Sequence, residues 1–310
     1  MRLGISLPHV GRAASPDAIS TAARWAETNG YDSVWVLDRV LAAEEPRTPY
    51  PASIDGQLPE EMKVVLDPIL SLTVAALATE RVRLATSVLV APWYPPVLLA
   101  RSLTTLDHIS AGRLTIGLGM GWSVDEYEAV GVPHRHLGSR LDETLDVLDA
   151  VWSPGTVSHC GARIRIVPST IEPKPLQGRP PVLLAAYTPA GLDRVARRAD
   201  GWNPAGLPID AVAPMWHAVC ELAHGHGRDP EDLELVVRAN IKLHDRPLDG
   251  DRPVYHGSVE QVAADLDATR AAGAHEIVLG IMGQDSADLT ASLEEYAAVT
   301  AAAELLDAAA

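Results

Sequence analysis

The chain has 310 residues, 47% of them hydrophobic, and a formal net charge of −16. That balance argues against nucleic acid as a partner, because phosphate contacts need clustered Lys and Arg. No apolar run approaches the roughly 18 residues needed to span a membrane, and MRLGISLP reads as a strand rather than a signal peptide, so a cytoplasmic setting is expected.

The first strand is expected at Leu3–Leu7. Ser15 and Pro16 open a helix whose apolar face carries Ile19, Ala22, Ala23 and Ala26, and Gly30 ends it. Ser33–Leu37 is the second strand. A long proline-rich segment, Arg39–Leu66, reads as a candidate lid, since structureless loops of this length in compact domains are usually functional. Asp67 and Pro68 start the second helix. Val82–Leu89 is the third strand, followed by a helix from Pro95 to about His108.

The fourth strand lies in RLTIGLGMGW (Arg113–Trp122) and runs into glycines at 117, 119 and 121. Helical material follows as far as Trp152, and Val157–Val167 alternates like a small hairpin. Val182–Ala186 is the fifth strand, with helix Pro189–Ala199. A short sixth strand at Gly201–Asn203 precedes a helix over Ala211–His224. Leu233–Asn240 is the seventh strand. Ser258 and Gln261 form a capping box for the next helix, which Gly273 ends. Glu276–Gly280 is the eighth strand, with a last helix from about Ala287.

Eight βα units without a break in composition predict one domain over residues 1–310, a (β/α)8 TIM barrel with an inserted segment. An open doubly wound sheet would place GxGxxG after the first strand, where this chain has PHVGR. In a barrel the site gathers at the carboxyl ends of the strands. That rule selects Pro8, His9, Asp38, Arg39, Ser87, Val88, Trp93, Gly119, Met120, Gly121, Trp122, Ala185, Ala186, Tyr187, Thr188, Trp202 and Asn203.

Each selection has a plainer counterpart. Trp35, Trp93, Trp122 and Trp202 either wall a planar ring or simply pack the barrel rim. Asp38 and Arg39 read first as a structural ion pair, with substrate orientation as the alternative. The glycines either admit a ligand to the backbone or permit close packing of the chain itself. His134-x-His136 and His224-x-His226 lack the spacing of a helical zinc pair, so no metal is expected. Cys160 and Cys220 make no disulfide framework, and no GxSxG elbow is present.

Taken together, YDSVWVLDRV (31–40), the long segment 81–133, RLDETLDVLDAVW (140–152) and RRADGW (197–202) resemble the bacterial luciferase-like oxidoreductases, in particular the coenzyme F420-dependent branch. The resemblance implies a barrel with an extra segment near its top, a homodimer, and F420 or FMN with its ring in the barrel mouth. It implies a bulge with a non-prolyl cis peptide at Ser87–Val88 backing the ring. Gly119, Met120, Gly121 and Trp122 would line the ring and its side chain, and Ala185, Ala186, Tyr187 and Thr188 would receive the phosphate region.

Arg39 and Arg140 would contact anions, and Asp38, Arg39 and Trp122 are the expected catalytic positions. Arg39 stands where relatives often carry His, and a permanent cation cannot act as a general base near neutral pH. Trp122 replaces an acidic residue of the sugar-phosphate dehydrogenase branch, and Ala185–Ala186 replaces a frequent Gly-Gly. The leading expectation is F420-dependent hydride transfer to or from a small organic substrate. The alternatives are an FMN-dependent monooxygenase using reduced flavin and oxygen, and a non-catalytic cofactor-binding protein.

Overall fold

Strand-forming apolar runs alternate with capped helices along the chain, and the computed structural model closes them into a ring. It describes residues 1–51, 53, 55–281 and 289–309. In chain order the first elements are β1 (Arg2–Ser6), α1 (Pro16–Thr28), β2 (Ser33–Val36), α2 (Pro68–Ala78), β3 (Arg83–Thr86), β4 (Leu89–Val90), α3 (Pro96–Ile109) and β5 (Leu114–Gly119). Next come α4 (Val124–Ala129), α5 (Leu137–Trp152), the hairpin β6 (Val157–Cys160) and β7 (Arg165–Ser169), β8 (Val182–Leu184), α6 (Pro189–Arg198) and β9 (Gly201–Trp202). The last are α7 (Ile209–Gly225), β10 (Glu234–Leu243), β11 (His256–Gly257), α8 (Val259–Ala271), β12 (Glu276–Ile281) and α9 (Leu289–Ala309). The helix start expected near Ala287 lies outside the described residues.

Pairing runs β1–β2–β3–β5–β8–β9–β10–β12 and returns to β1, all parallel, which is a closed (β/α)8 barrel. The helix starts follow from side-chain caps: Ser15, Asp67, Ser123, Thr188 and Ser258 each accept an N–H from the first turn. Helix α1 buries Ile19, Ala22, Ala23 and Ala26, the stripe its sequence predicts. Among the described residues no helix is long and apolar enough to cross a membrane.

Inside the ring, Trp35, Ala85, Leu183, Val236 and Val278 pack into one plug. Below it the Glu276 carboxylate is buried and held by the Ser33 hydroxyl, Arg83 and Arg2. Side chains two residues further along each strand share the inward face, so Leu37, Ser87, Ala185, Arg238 and Gly280 form the next layer, at the mouth.

The third strand is not continuous, as expected for Val82–Leu89, but is broken into β3 and β4. The pair Ala85–Thr115 is followed by Leu89–Leu118, so Thr86, Ser87 and Val88 oppose only Ile116 and Gly117. The Ser87–Val88 peptide is cis. The Thr86 hydroxyl repairs the ladder, accepting from the Gly117 N–H at 2.9 Å and donating to its carbonyl at 2.8 Å. The hairpin β6–β7 lies along the outside of α5, where Glu143 accepts the N–H groups of Arg163 and Ile164.

Candidate functional site

Beside the bulge, the connections after β2, β4 and β5 enclose a cleft of about 160 Å³. Asp38, Arg39, Ser87, Val88, Trp93 and Trp122 line it, with Tyr50 and Met62 contributed by the segment between β2 and α2. The mouth thus collects residues that the sequence scatters over nearly a hundred positions.

Asp38 and Arg39 do not pair with each other, contrary to the ion-pair expectation. Asp38 Oδ2 accepts the Val90 N–H at 3.0 Å and the Tyr94 hydroxyl at 2.9 Å. Burial pushes this carboxyl up to about 6, against those two donors, and the negative charges of Asp67 and Glu126 push the same way. Arg39 instead pairs with Glu126 at 3.2 Å, donates to the Leu41 carbonyl at 2.9 Å, and lies over the Trp122 ring at 5.3 Å. Burial raises the Glu126 carboxyl above its usual range, partly offset by the Val40 N–H and by Arg39.

Ser87 donates to Asn203 Oδ1 at 2.8 Å, and Asn203 Nδ2 donates to the Val236 carbonyl at 2.7 Å. The bulge is thereby tied to the far wall of the barrel. His9 is buried and bridges the first two strand ends: its Nε2 accepts the Leu37 N–H at 2.9 Å, and Nδ1 lies 2.9 Å from the Leu7 carbonyl. Burial holds the imidazole neutral, pushing it down to about 4. It is a brace between connections and does not border this cleft.

The four tryptophans separate. Trp35 and Trp202 are core, with indole N–H groups donated to Ser33 Oγ and the Ala186 carbonyl. Trp93 and Trp122 line the cleft; Trp122 packs against Tyr50 with centroids 5.5 Å apart, and Trp93 against Tyr127 at 6.0 Å. Tyr127 also donates its hydroxyl to the Met120 carbonyl, fixing the turn.

The glycines after β5 face the chain's own atoms. A Cβ on Gly117 would overlap the Thr86 carbonyl oxygen, one on Gly119 would fall 2.5 Å from Val88 Cγ2, and one on Gly121 2.8 Å from Val90 Cγ1. Close packing against the bulge therefore accounts for this run. Gly121 also has φ +63°, and its backbone borders the cleft.

Ala185 sits beside Gly119, and Thr188 caps α6 by accepting the Gly191 N–H at 3.2 Å. Tyr187 is half exposed, and its hydroxyl donates to the Ala205 carbonyl at 3.3 Å and accepts the Ala205 N–H at 3.1 Å. Arg140 does not line the cleft; it lies in the first turn of α5, its Nε 3.4 Å from the Arg135 carbonyl. Sequence reasoning missed Tyr50, Met62, Tyr94, Glu126 and Arg238. Among the described residues, no cluster of three or more His, Cys, Asp or Glu is placed to hold a metal ion.

The arrangement can hold a proton on Asp38, fix a positive charge beside an indole, and offer aromatic walls to a flat ring. A sequence model described as luciferase-like monooxygenase matches residues 1–247. The uncharacterized protein Rv0953c of Mycobacterium tuberculosis is 34% identical over 246 residues, 78% of this chain and 84% of that protein. Among solved structures, the monooxygenase RslO1 from Streptomyces bottropensis superposes with TM-score 0.80 at 24% identity, covering 100% of both chains. An F420-dependent secondary alcohol dehydrogenase in complex with an F420-acetone adduct gives 0.76 at 18%, covering 97% of this chain and 98% of that one. The oxygenating constituent of 3,6-diketocamphane monooxygenase from Pseudomonas putida, in complex with FMN, gives 0.74 at 15%, covering 96% of each.

Proposed function

This chain belongs to the luciferase-like monooxygenase family, and within it we propose an oxidoreductase that uses F420 for hydride transfer to or from a small organic substrate. The observation that carries this reading is Asp38: a buried carboxyl titrating near pH 6 at the wall of a cleft faced by two indoles. Hydride transfer to a carbonyl or alkene needs a matching proton, and a group titrating close to neutral pH can take one up and pass it on. The cleft fits a planar ring, since Trp93, Trp122, Val88 and Met62 offer apolar walls and Ser87 and Arg39 offer donors.

A deazaflavin bound there would give or take the hydride, chemistry that no side chain supplies. The protein's part is positional: Asn203 fixes Ser87 at the bulge, Glu126 fixes Arg39 against Trp122, and Tyr94 orients Asp38. The turn after β5 and residues 185–188 would hold the rest of the cofactor, and Arg140 would meet its anionic end.

The FMN-linked reading shares the same slot, and its support is the likeness to monooxygenases. Titrating the apo-protein with F420 and with FMN, followed by quenching of tryptophan fluorescence, separates the two. Tighter F420 binding, lost in Trp122→Ala, is expected; binding of FMN alone would overturn the F420 assignment. Tight F420 binding with no turnover across a broad substrate panel would instead indicate a cofactor-binding protein. We propose also that the protein works as a homodimer in the cytoplasm, with α2 in the interface, since Leu70 and Leu77 stand outward on one face, 68% and 76% exposed.

A further inference from the structure

Arg238 points into the mouth layer from β10, two residues beyond the plug residue Val236. In the eight-strand ring β10 lies four strands from β3 in either direction, so Arg238 faces the Ser87–Val88 bulge from across the barrel. It is only 6% exposed. Its Nε donates to Asn240 Oδ1 at 3.0 Å, but Nη1 is buried with no acceptor among the described residues. Arg238 forms no ion pair among the described residues.

The other buried arginines differ. Arg39 is paired with Glu126, and Arg194 makes a two-pronged bond to Asp142 at 2.7 and 3.1 Å. A buried guanidinium without an anion is unfavourable, and folds rarely keep one unless something else supplies the negative charge. The ionisable groups closest in effect on Arg238 are His9 and the hydroxyls of Tyr50, Tyr187 and Tyr296, none of which is an anion at neutral pH.

Beside Arg238 lies a cavity of about 90 Å³, bordered by Ser6, His9, Gly280 and Tyr296, and by Glu61 from the loop segment. Leu37 and Met62 border both this cavity and the cleft of Asp38, so the two spaces adjoin. Gly280 has no Cβ where one would come within 3.0 Å of Arg238 Nη2. The space has room for a carboxylate group beside the guanidinium.

We propose that Arg238 is the substrate-recognition residue of this site, binding a carboxylate on the substrate from the side of the mouth opposite the bulge. This rests on the reading of the mouth as the redox site, and it adds the substrate's chemical class. Planar guanidinium and carboxylate match in a fork, with Asn240 setting the plane of the fork through Nε.

The test uses the full chain, acetate as probe, and acetamide and chloride as neutral and halide controls, with thermal unfolding as readout. Acetate should raise Tm beyond either control. Arg238→Gln should bind acetate at least about 30-fold more weakly, while its Tm without acetate is unchanged or higher because an unpaired buried charge is gone. Arg238→Lys should keep part of the response. An equal acetate response in Arg238→Gln, no response in the wild type, or a lower Tm for Arg238→Gln without acetate would each overturn the proposal.

F420 and FMN titrations of the same samples separate the two layers. Cofactor binding without an acetate response overturns the carboxylate assignment alone. An acetate response without cofactor binding overturns the redox reading and leaves the anion site standing. Selective weakening of reduced FMN or reduced F420 in Arg238→Gln, with acetate binding intact, would assign Arg238 to the cofactor and overturn its role toward substrate.

Discussion

Tyr94 donates its hydroxyl hydrogen to Asp38 Oδ2 across 2.9 Å, tying the connection after the third strand to the one after the second. That bond favours the carboxylate, because a hydroxyl donor stabilises the charged form. Tyr94→Phe should therefore raise the midpoint of Asp38 above 6. A hydrogen bond to a charged group is worth about 1.5–3 kcal/mol, so the rise should be about one to two pH units. Carboxyl ¹³C chemical shifts followed through a pH titration read it directly. An unmoved midpoint would mean that Tyr94 does not govern this proton.

Asp38 and His9 should pull stability in opposite directions over the same pH range. Asp38 moves from its ordinary value near 4 up to about 6, so between these pH values the folded state keeps a proton that the unfolded state has lost. Its contribution is present below about pH 4 and disappears as pH rises through 6, a change of about 3 kcal/mol. His9 moves from 6.5 down to about 4, so there the unfolded state carries the extra proton. Its contribution is present above pH 6.5 and is lost as pH falls through 4, again about 3 kcal/mol. Urea unfolding of Asp38→Asn should show stability climbing from pH 4 to 6.5, and His9→Gln should show it falling from pH 4 to 6. Matching slopes in both variants and the parent would dismiss the pairing of opposed groups.

Glu126→Ala should destabilise the chain by about 3–5 kcal/mol, since it strands the Arg39 guanidinium in a buried setting. Replacing both partners, Arg39→Met with Glu126→Leu, should cost less than Glu126→Ala alone. Denaturant midpoints of the two variants and the double variant decide it, and an additive result would show that the pair is not coupled.

Gly117 and Gly121 should behave differently although both precede Trp122. Alanine at 117 would drive a methyl group into the Thr86 carbonyl, so the cost should be about 3 kcal/mol or more. Alanine at 121 meets a movable Val90 methyl and a left-handed φ, for about 1–2 kcal/mol. The Gly121 variant should stay folded, and a cofactor titration of it then reports on the cleft alone. Restored stability in Gly121→Ala with Val90→Ala would assign the larger share of the cost to the contact rather than to φ.

Leu77→Glu should shift the protein from dimer to monomer by light scattering without lowering helicity, since Leu77 projects from α2 and supports no core. A monomeric parent would reject the role proposed for this face.

Most of the fold was readable because each βα unit announces itself locally. Ser15–Pro16, Asp67–Pro68, Ser123, Thr188 and Ser258 start helices by their own side chains, and apolar runs between them have one place to go. The break in the third strand was legible only through family likeness, since LATSVLV is a good strand by propensity throughout. The site was partly readable for the same reason. Asp38, Ser87, Trp93 and Trp122 follow from the rule that strand ends face the mouth.

Their partners do not follow from any rule of that kind. Glu126 lies in VDEYEA, which looks like a solvated acidic turn until Arg39 folds over it. Tyr94 looks like a rim aromatic beside prolines. Arg238 did leave a signal: a lone cation inside LVVRAN, where alternation places it on the same face as Val236.

The pairing of Arg2 with Glu276 across β1 and β12 also bears on how the molecule is made. The first strand leaves the ribosome with one edge lacking its partner until residue 276 has been synthesised. At about 5–20 residues per second that interval is on the order of tens of seconds. For that time an edge strand carrying apolar Leu3 and Ile5 is open to pairing with other chains. Slowing synthesis late in the message, near the codons for β12, should therefore lower the yield of native protein more than the same delay placed near β2.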